Sequence, residues 1–236
     1  MNLINFLKTN FLLPNFLSWF VMKIPAFAEH NLGKYWAIKK AFYLTALEQL
    51  EGNYFEFGVF TGSSFVCALR AHRSFQFLGK LNTKFYGFDS FSGFGKVSEH
   101  DKHPFYTDNT FAVNEARVVQ NIKRKAGDIP TTIVSGYFED TLTKGVAGGK
   151  SRVVLIDCDL KEPAKLCLEY ITGTLQQGTI LIMDDFFSYK GDESKGVAGA
   201  FSDHRAKYPN IKWRKIYDYG YGGVAYIVSK VETTNQ

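Results

Sequence analysis

Cysteine is scarce. Cys67, Cys158 and Cys167 are odd in number and irregular in spacing, which excludes a disulfide framework and a zinc pattern. They read as reduced core thiols of a cytoplasmic protein. No apolar run reaches transmembrane length. No Lys/Arg stripe accompanies the net charge of +5, so no nucleic-acid partner is expected, and Lys123 to Lys125 reads as a solvated helix end. The GxGxxG fingerprint is missing too, which disfavours a nicotinamide cofactor. Aromatic residues, by contrast, are plentiful at 16%, a composition that suits apolar clefts without specifying one.

Two stretches organise the chain. In Val153 to Pro163, an apolar run leads into Asp157 and Asp159. In Gly178 to Phe187, a second run leads into Asp184 and Asp185. Short apolar runs bounded by turn signals fit strands buried on both faces. A helix-length segment, Leu160 to Leu175, lies between them, so the two strands are expected to be parallel neighbours. Their carboxyl ends then bring three or four carboxylates together on the edge where open α/β sheets bind ligands. The cluster is either a hard-cation site or an electrostatic liability, because like charges this close resist joint ionisation unless something offsets them.

The rest of the chain supplies the other units of such a sheet. Tyr54 to Val59 reads as a strand, and Thr61 to Ser64 as a tight turn into a helix whose free N–H groups attract polar or anionic groups. Glu56 inside that strand needs a donor or a cationic partner. Lys84 to Ser90 is a second strand, and Asp89 at its end could accept hydrogen bonds from ribose hydroxyls. The long loop from Phe91 to about Thr110 carries His100 and His103 and reads as a lid or substrate loop, the histidines as ordinary loop residues. A helix over Phe111 to Ala126, a strand over Thr131 to Phe138, a helix from about Glu193 to Tyr208 and a hairpin around Gly220 to Gly223 complete the pattern.

The first 30 residues are rich in Phe and Leu. They read as a helical arm broken near Pro14 and packed on the domain or on a second subunit, with membrane-surface contact the lesser reading. Ala26-Phe27-Ala28 has the form of a signal cleavage site, but the charge placement of Lys8 and Lys23 disfavours secretion. An amphipathic helix is expected over Tyr35 to Leu50.

Five ordered segments, FEFGVFTGSS, FYGFDSFSGF, VSGYFEDTL, LIDCDLKEP and GTILIMDDF, carry a resemblance. The chain resembles class I S-adenosylmethionine-dependent methyltransferases, and among them the macrocin, mycinamicin and novobiocin-type sugar O-methyltransferases. The resemblance covers about Tyr54 to Val228. It implies a Rossmann-like α/β fold: a seven-stranded, mostly parallel sheet with helices on both faces, a C-terminal antiparallel hairpin and an N-terminal helical arm. The arm would span residues 1–50 and the methyltransferase domain residues 51–236. It further implies that Glu56, Gly58, Thr61 and Ser63 line the methionine end of the cofactor. Asp89 and Ser90 would serve the ribose, and Gly136, Tyr137 and Phe138 the adenine. Asp157, Asp184 and Asp185 match an acidic triad that holds Mg²⁺, with Asp157 also beside the cofactor and Asp159 at the position of a general base. The acceptor implied is a hydroxyl of a sugar in a glycoside, polysaccharide or natural product. The aromatic N-terminal arm makes a homodimer the expected assembly.

One departure concerns the base. Some relatives carry a histidine soon after the DD pair, where Phe186 to Tyr189 stand here. Asp159 therefore has Lys161, Lys190 and His204 as rivals, although His204 reads as a surface residue. Competing readings are a catechol-like acceptor and a cofactor-binding protein without turnover.

Overall fold

The computed structural model describes residues 12–108, 111–144 and 148–232. Five parallel strands, β1 (Asn53–Phe57), β2 (Phe85–Asp89), β3 (Thr131–Ser135), β4 (Ser151–Ile156) and β5 (Ile180–Met183), are joined by a hairpin of β6 (Ile211–Tyr219) and β7 (Gly223–Val231). The sheet order is β3-β2-β1-β4-β5-β7-β6, with β7 antiparallel to β5. The expected seven-stranded fold is therefore present.

The side-chain alternation of a strand explains its two cores. Val153 and Leu155 of β4 face one side with Tyr54, Phe85 and Ile182. Val154 and Ile156 face the other with Phe55, Phe57 and Met183. Helices α2 (Ala26–Leu47), α3 (Ser63–Ser74) and α4 (Glu115–Ala126) cover the first face. Helices α6 (Lys161–Thr172) and α7 (Gly196–Lys207) cover the second, with Phe138 of the one-turn α5 (Phe138–Thr141). Covered on both sides, the central strands have no polar face, so their sequences read as continuous apolar runs.

Connections leave β1 toward β2 and β3, and the chain then returns to place β4 on β1's other side. The crevice between β1 and β4 is thus the topological switch point. Phe57, Ile156 and Met183 are in register across β1, β4 and β5. The next residues extend the ladder: the Asp157 N–H donates to the Phe57 carbonyl at 2.8 Å, and that of Asp184 to the Ile156 carbonyl at 2.9 Å. Backbone pairing alone therefore sets the two acids side by side.

The N-terminal segment departs most from expectation. Helix α1 (Leu12–Val21) contains Pro14 in its first turn, where proline is tolerated, and the break falls instead between Met22 and Pro25. Phe16, Trp19 and Phe20 of α1 are exposed. Helix α2 begins at Ala26 rather than Tyr35, because Pro25 stands at its N-cap and its polar first turns still belong to the helix. It docks through Ala37, Ile38, Ala41 and Phe42 into the first core.

Smaller boundaries move for local reasons. Asn114 caps α4, its Oδ1 accepting the Arg117 N–H at 3.0 Å, so Phe111 to Val113 precede the helix. The third strand stops at Ser135, and α5 begins at Phe138. Helices α6 and α7 are shorter than their predicted spans, ending at Thr172 and starting at Gly196. All three cysteines are free. Among the described residues no helix is long and apolar enough to cross a membrane.

Candidate active site

At the switch point, Gly58 takes φ +92°, and a Cβ there would overlap the Asp157 carbonyl. Only glycine lets β1 turn off so close to β4. The turn opens a cavity of about 740 Å³. Its wall includes Gly58, Thr61, Ser63, Asp89, Ser90, Gly136, Tyr137, Phe138, Asp157, Asp159, Asp184 and Asp185. Of the residues that the resemblance assigned to the cofactor, the metal and the base, Glu56 alone stays behind the wall. It is fully buried: Ser64 donates to its Oε1 at 2.7 Å, and the Tyr54 hydroxyl donates to its Oε2. Burial pushes its carboxyl up to about 7 against those two hydrogen bonds.

Asp89 ends β2 and ties two turns together. Its Oδ2 accepts the Phe60 N–H at 2.7 Å and its Oδ1 the Phe91 N–H at 2.6 Å. Both phenylalanines have positive φ, +47° and +55°, so the carboxylate holds backbone that would otherwise relax. Each oxygen has further accepting capacity, and Asp89 lines the cavity wall.

Asp157, Asp184 and Asp185 each offer a carboxylate oxygen, all within 4.8 Å of one another. Asp159 joins them: burial, then a hydrogen bond with Asp185, hold its carboxyl well above the usual range. Asp159 and Asp185 have φ of +63° and +49°, a conformation Asp tolerates better than most residues, and it turns both acids off their strand ends.

The arm completes the site. Lys34 of α2 is buried, its Nζ 2.7 Å from Asp157 Oδ2 and 2.5 Å from Asp184 Oδ2. One turn earlier, His30 Nε2 lies 3.0 Å from the same Asp184 oxygen. The Tyr221 N–H donates to His30 Nδ1 at 3.2 Å, which makes Nε2 the protonated nitrogen. Burial opposes ionisation of Asp184, but the Lys34 charge and the His30 hydrogen bond prevail and hold its carboxyl below the usual range. Burial, with the Asp184 neighbour, outweighs the Lys34 charge at Asp157 and holds its carboxyl above the usual range. Asp184 Oδ1 is buried with no partner.

His30, Lys34 and Tyr221 were not singled out in the sequence. A signal existed: with α2 begun at Ala26, Lys34 shares the buried face of Ala37, Ile38, Ala41 and Phe42. A lysine on an apolar helix face has a partner across it. The rival bases lie elsewhere. Lys161 pairs with Asp203 at 2.9 Å, and Lys190 is exposed. His204 is a correction, since it is 3% exposed rather than on the surface. It packs between α6 and β6, with Nε2 2.9 Å from the Thr172 hydroxyl. His103 stacks on Tyr106 away from the wall, and the side chain of His100 lies outside the described residues. Lys123 to Lys125 form an exposed helix end, as expected.

The macrocin-O-methyltransferase family model matches residues 23–211. The chain belongs to that family. It is an O-methyltransferase by that membership. Among solved structures, the O-methyltransferase NovP superposes with a TM-score of 0.68 at 22% identity, covering 84% of this chain and 80% of NovP. The calicheamicin methyltransferase CalS11 gives 0.63 at 18% identity, with 84% and 79% covered. The Streptomyces achromogenes O-methyltransferase TomG, solved with S-adenosylmethionine, gives 0.53 at 14% identity, with 82% and 79% covered. No curated protein sequence matches the chain. The family match begins at Lys23, so α2 with His30 and Lys34 belongs to the family unit, which agrees with its burial in the core.

Proposed function

We propose that the protein transfers the methyl group of S-adenosylmethionine to a hydroxyl of a sugar, free or within a glycoside, with Mg²⁺ on Asp157, Asp184 and Asp185. The observation that carries this reading is the convergence of those carboxylates at the switch point, on the wall of the cavity that Gly58 opens. The family and the sugar-modifying CalS11, a TDP-rhamnose 3′-O-methyltransferase, support the acceptor class.

The donor set fits a hard cation: three carboxylates in mutual reach and one unpartnered oxygen on Asp184. Bound there, Mg²⁺ would keep the acids ionised together and acidify an acceptor hydroxyl beside it. The chain's own residues do the rest. Asp89 would take the ribose hydroxyls, and Tyr137 and Phe138 would flank the adenine. Thr61 and Ser63 at the start of α3 would hold the methionine end, with Glu56 acting on it through Ser64. Asp159, on the same wall beside Asp185, would accept the acceptor's proton. The hydroxyl oxygen then forms a bond to the methyl carbon as the C–S bond breaks, leaving S-adenosylhomocysteine. Placement of the two reactants is the main contribution.

A second acceptor class, catechol-like diols, draws support from Phe60, Phe94, Phe105 and Phe111 in the wall. The exposed Phe16, Trp19 and Phe20 of α1 favour a homodimer, which sedimentation would register.

Calorimetry with S-adenosylmethionine, and transfer of labelled methyl to panels of glycosides and catechols with Mg²⁺ or chelator, test the reading. Asp89→Ala should weaken cofactor binding roughly 10- to 100-fold, the worth of hydrogen bonds to a charged group. Absence of cofactor binding in the parent would sink the whole reading. Transfer indifferent to chelator would sink the Mg²⁺ part.

A further inference from the structure

The acidic cluster already has a cation in contact, and the chain supplies it. Lys34 is 8% exposed, and its Nζ bridges Asp157 Oδ2 and Asp184 Oδ2. Those two carboxylates are also members of the set whose oxygens converge within 4.8 Å. A divalent ion held by that set needs oxygens from both. The Lys34 ammonium takes one oxygen from each, and Asp184's other oxygen is buried and unpartnered. An ammonium and a dication sharing the same two carboxylates repel at a range where little solvent screens them.

We propose that Lys34 and a divalent cation are alternative occupants of the Asp157–Asp184 pair, so that binding of the ion expels the Lys34 ammonium into the cavity. The inference rests on the reading that this cluster takes a divalent cation. The geometry allows the exchange without moving the helix. Helix α2 is fixed by Ile38 and Phe42 in the core, and Lys34 itself lines the cavity. A four-carbon stem with rotatable bonds can swing its head into that space. His30 keeps its bond to Asp184, so the carboxylate is not released wholesale. Until an ion arrives, Lys34 supplies the positive charge that the buried Asp184 and the half-buried Asp157 require. The arm thereby senses whether the site is loaded.

The experiment uses the full chain and Mn²⁺, whose binding is read by electron paramagnetic resonance. Lysine acylation followed by mass spectrometry reads the ammonium directly. Without metal, Lys34 should label slowly beside the exposed Lys39 and Lys40 of the same helix. Saturating Mn²⁺ should raise Lys34 labelling at least tenfold and leave the other two unchanged. Lys34→Gln should bind Mn²⁺ at least tenfold more tightly than the parent. Lys39→Gln, which removes the same charge at an exposed position, should not. Binding by Lys34→Gln but not by the parent would also support the exchange. If Mn²⁺ binds the parent while Lys34 stays protected, the exchange is wrong and the cation reading survives. If neither protein binds Mn²⁺ while both bind S-adenosylmethionine, the cation reading falls and the exchange falls with it.

Discussion

Lys34 and Asp157 are 123 residues apart in the chain and 2.7 Å apart in the fold. This ion pair makes the N-terminal arm part of the site. Asp184 shares the lysine and adds His30, so one buried carboxylate answers two groups from α2. Asp184→Ala leaves Lys34 with Asp157 alone and strips His30 of its acceptor. Breaking a buried pair by removing one partner costs about 3–5 kcal/mol, chiefly through the charge left behind. Urea denaturation of parent and variant at neutral pH measures it. A loss under about 1 kcal/mol would mean that water replaces the carboxylate and that α2 does not depend on it.

Much of this site was legible because each acid ends an apolar run. Asp89, Asp157 and Asp184 are marked by the strands before them, and a parallel sheet has to bring those ends to one edge. The partner of the acids was not legible in the same way. Polar residues at Glu29, His30, Asn31 and Lys34 interrupt the apolar periodicity of α2, which made the helix seem to start at Tyr35. Its true start depends on Pro25 at the N-cap and on tertiary contacts with the sheet. His204 was misplaced for a related reason. A histidine in the last turn of a helix ordinarily faces solvent, but here Thr172 of α6 and Trp213 of β6 close over it. Neither partner lies on its own helix.

Glu56 gives stability a pH dependence of definite sign. Its folded pKa, about 7, lies above the ordinary 4.5, through burial only partly offset by Tyr54 and Ser64, with Lys34 also lowering and Asp89 raising it. The folded state therefore holds a proton that the unfolded chain releases between those values. Stability from this group is fully present below about pH 4.5 and is lost as pH rises through 7. Between pH 5 and pH 8 the loss amounts to about 2–3 kcal/mol. Glu56→Gln should gain that much on the parent over the interval, as the difference between their denaturation free energies at the two pH values. A constant difference would show that Glu56 is already ionised when folded, and that its two hydroxyl donors outweigh its burial.

Gly33 decides how closely α2 approaches the β6–β7 turn, and two effects oppose each other there. Alanine is the better helix former, by about 1 kcal/mol in a helix interior. A Cβ at position 33, however, would stand 2.6 Å from the Gly220 backbone nitrogen and 2.8 Å from its Cα. Backbone cannot step aside as a flexible side chain can, so one element has to shift. Such overpacking costs about 1–3 kcal/mol, and here it meets rigid atoms, so packing outweighs propensity. Gly33→Ala should be less stable than the parent by denaturation, despite its helix preference. The shift also carries His30 and Lys34, which flank position 33 on the same helix, away from Asp184 and Asp157. Two readouts should therefore move together: a fall in the denaturation midpoint and faster acylation of Lys34 without any metal. A more stable variant with Lys34 still protected would show that the turn yields instead of the helix, and that the ion pairs, rather than the glycine contact, set the position of α2.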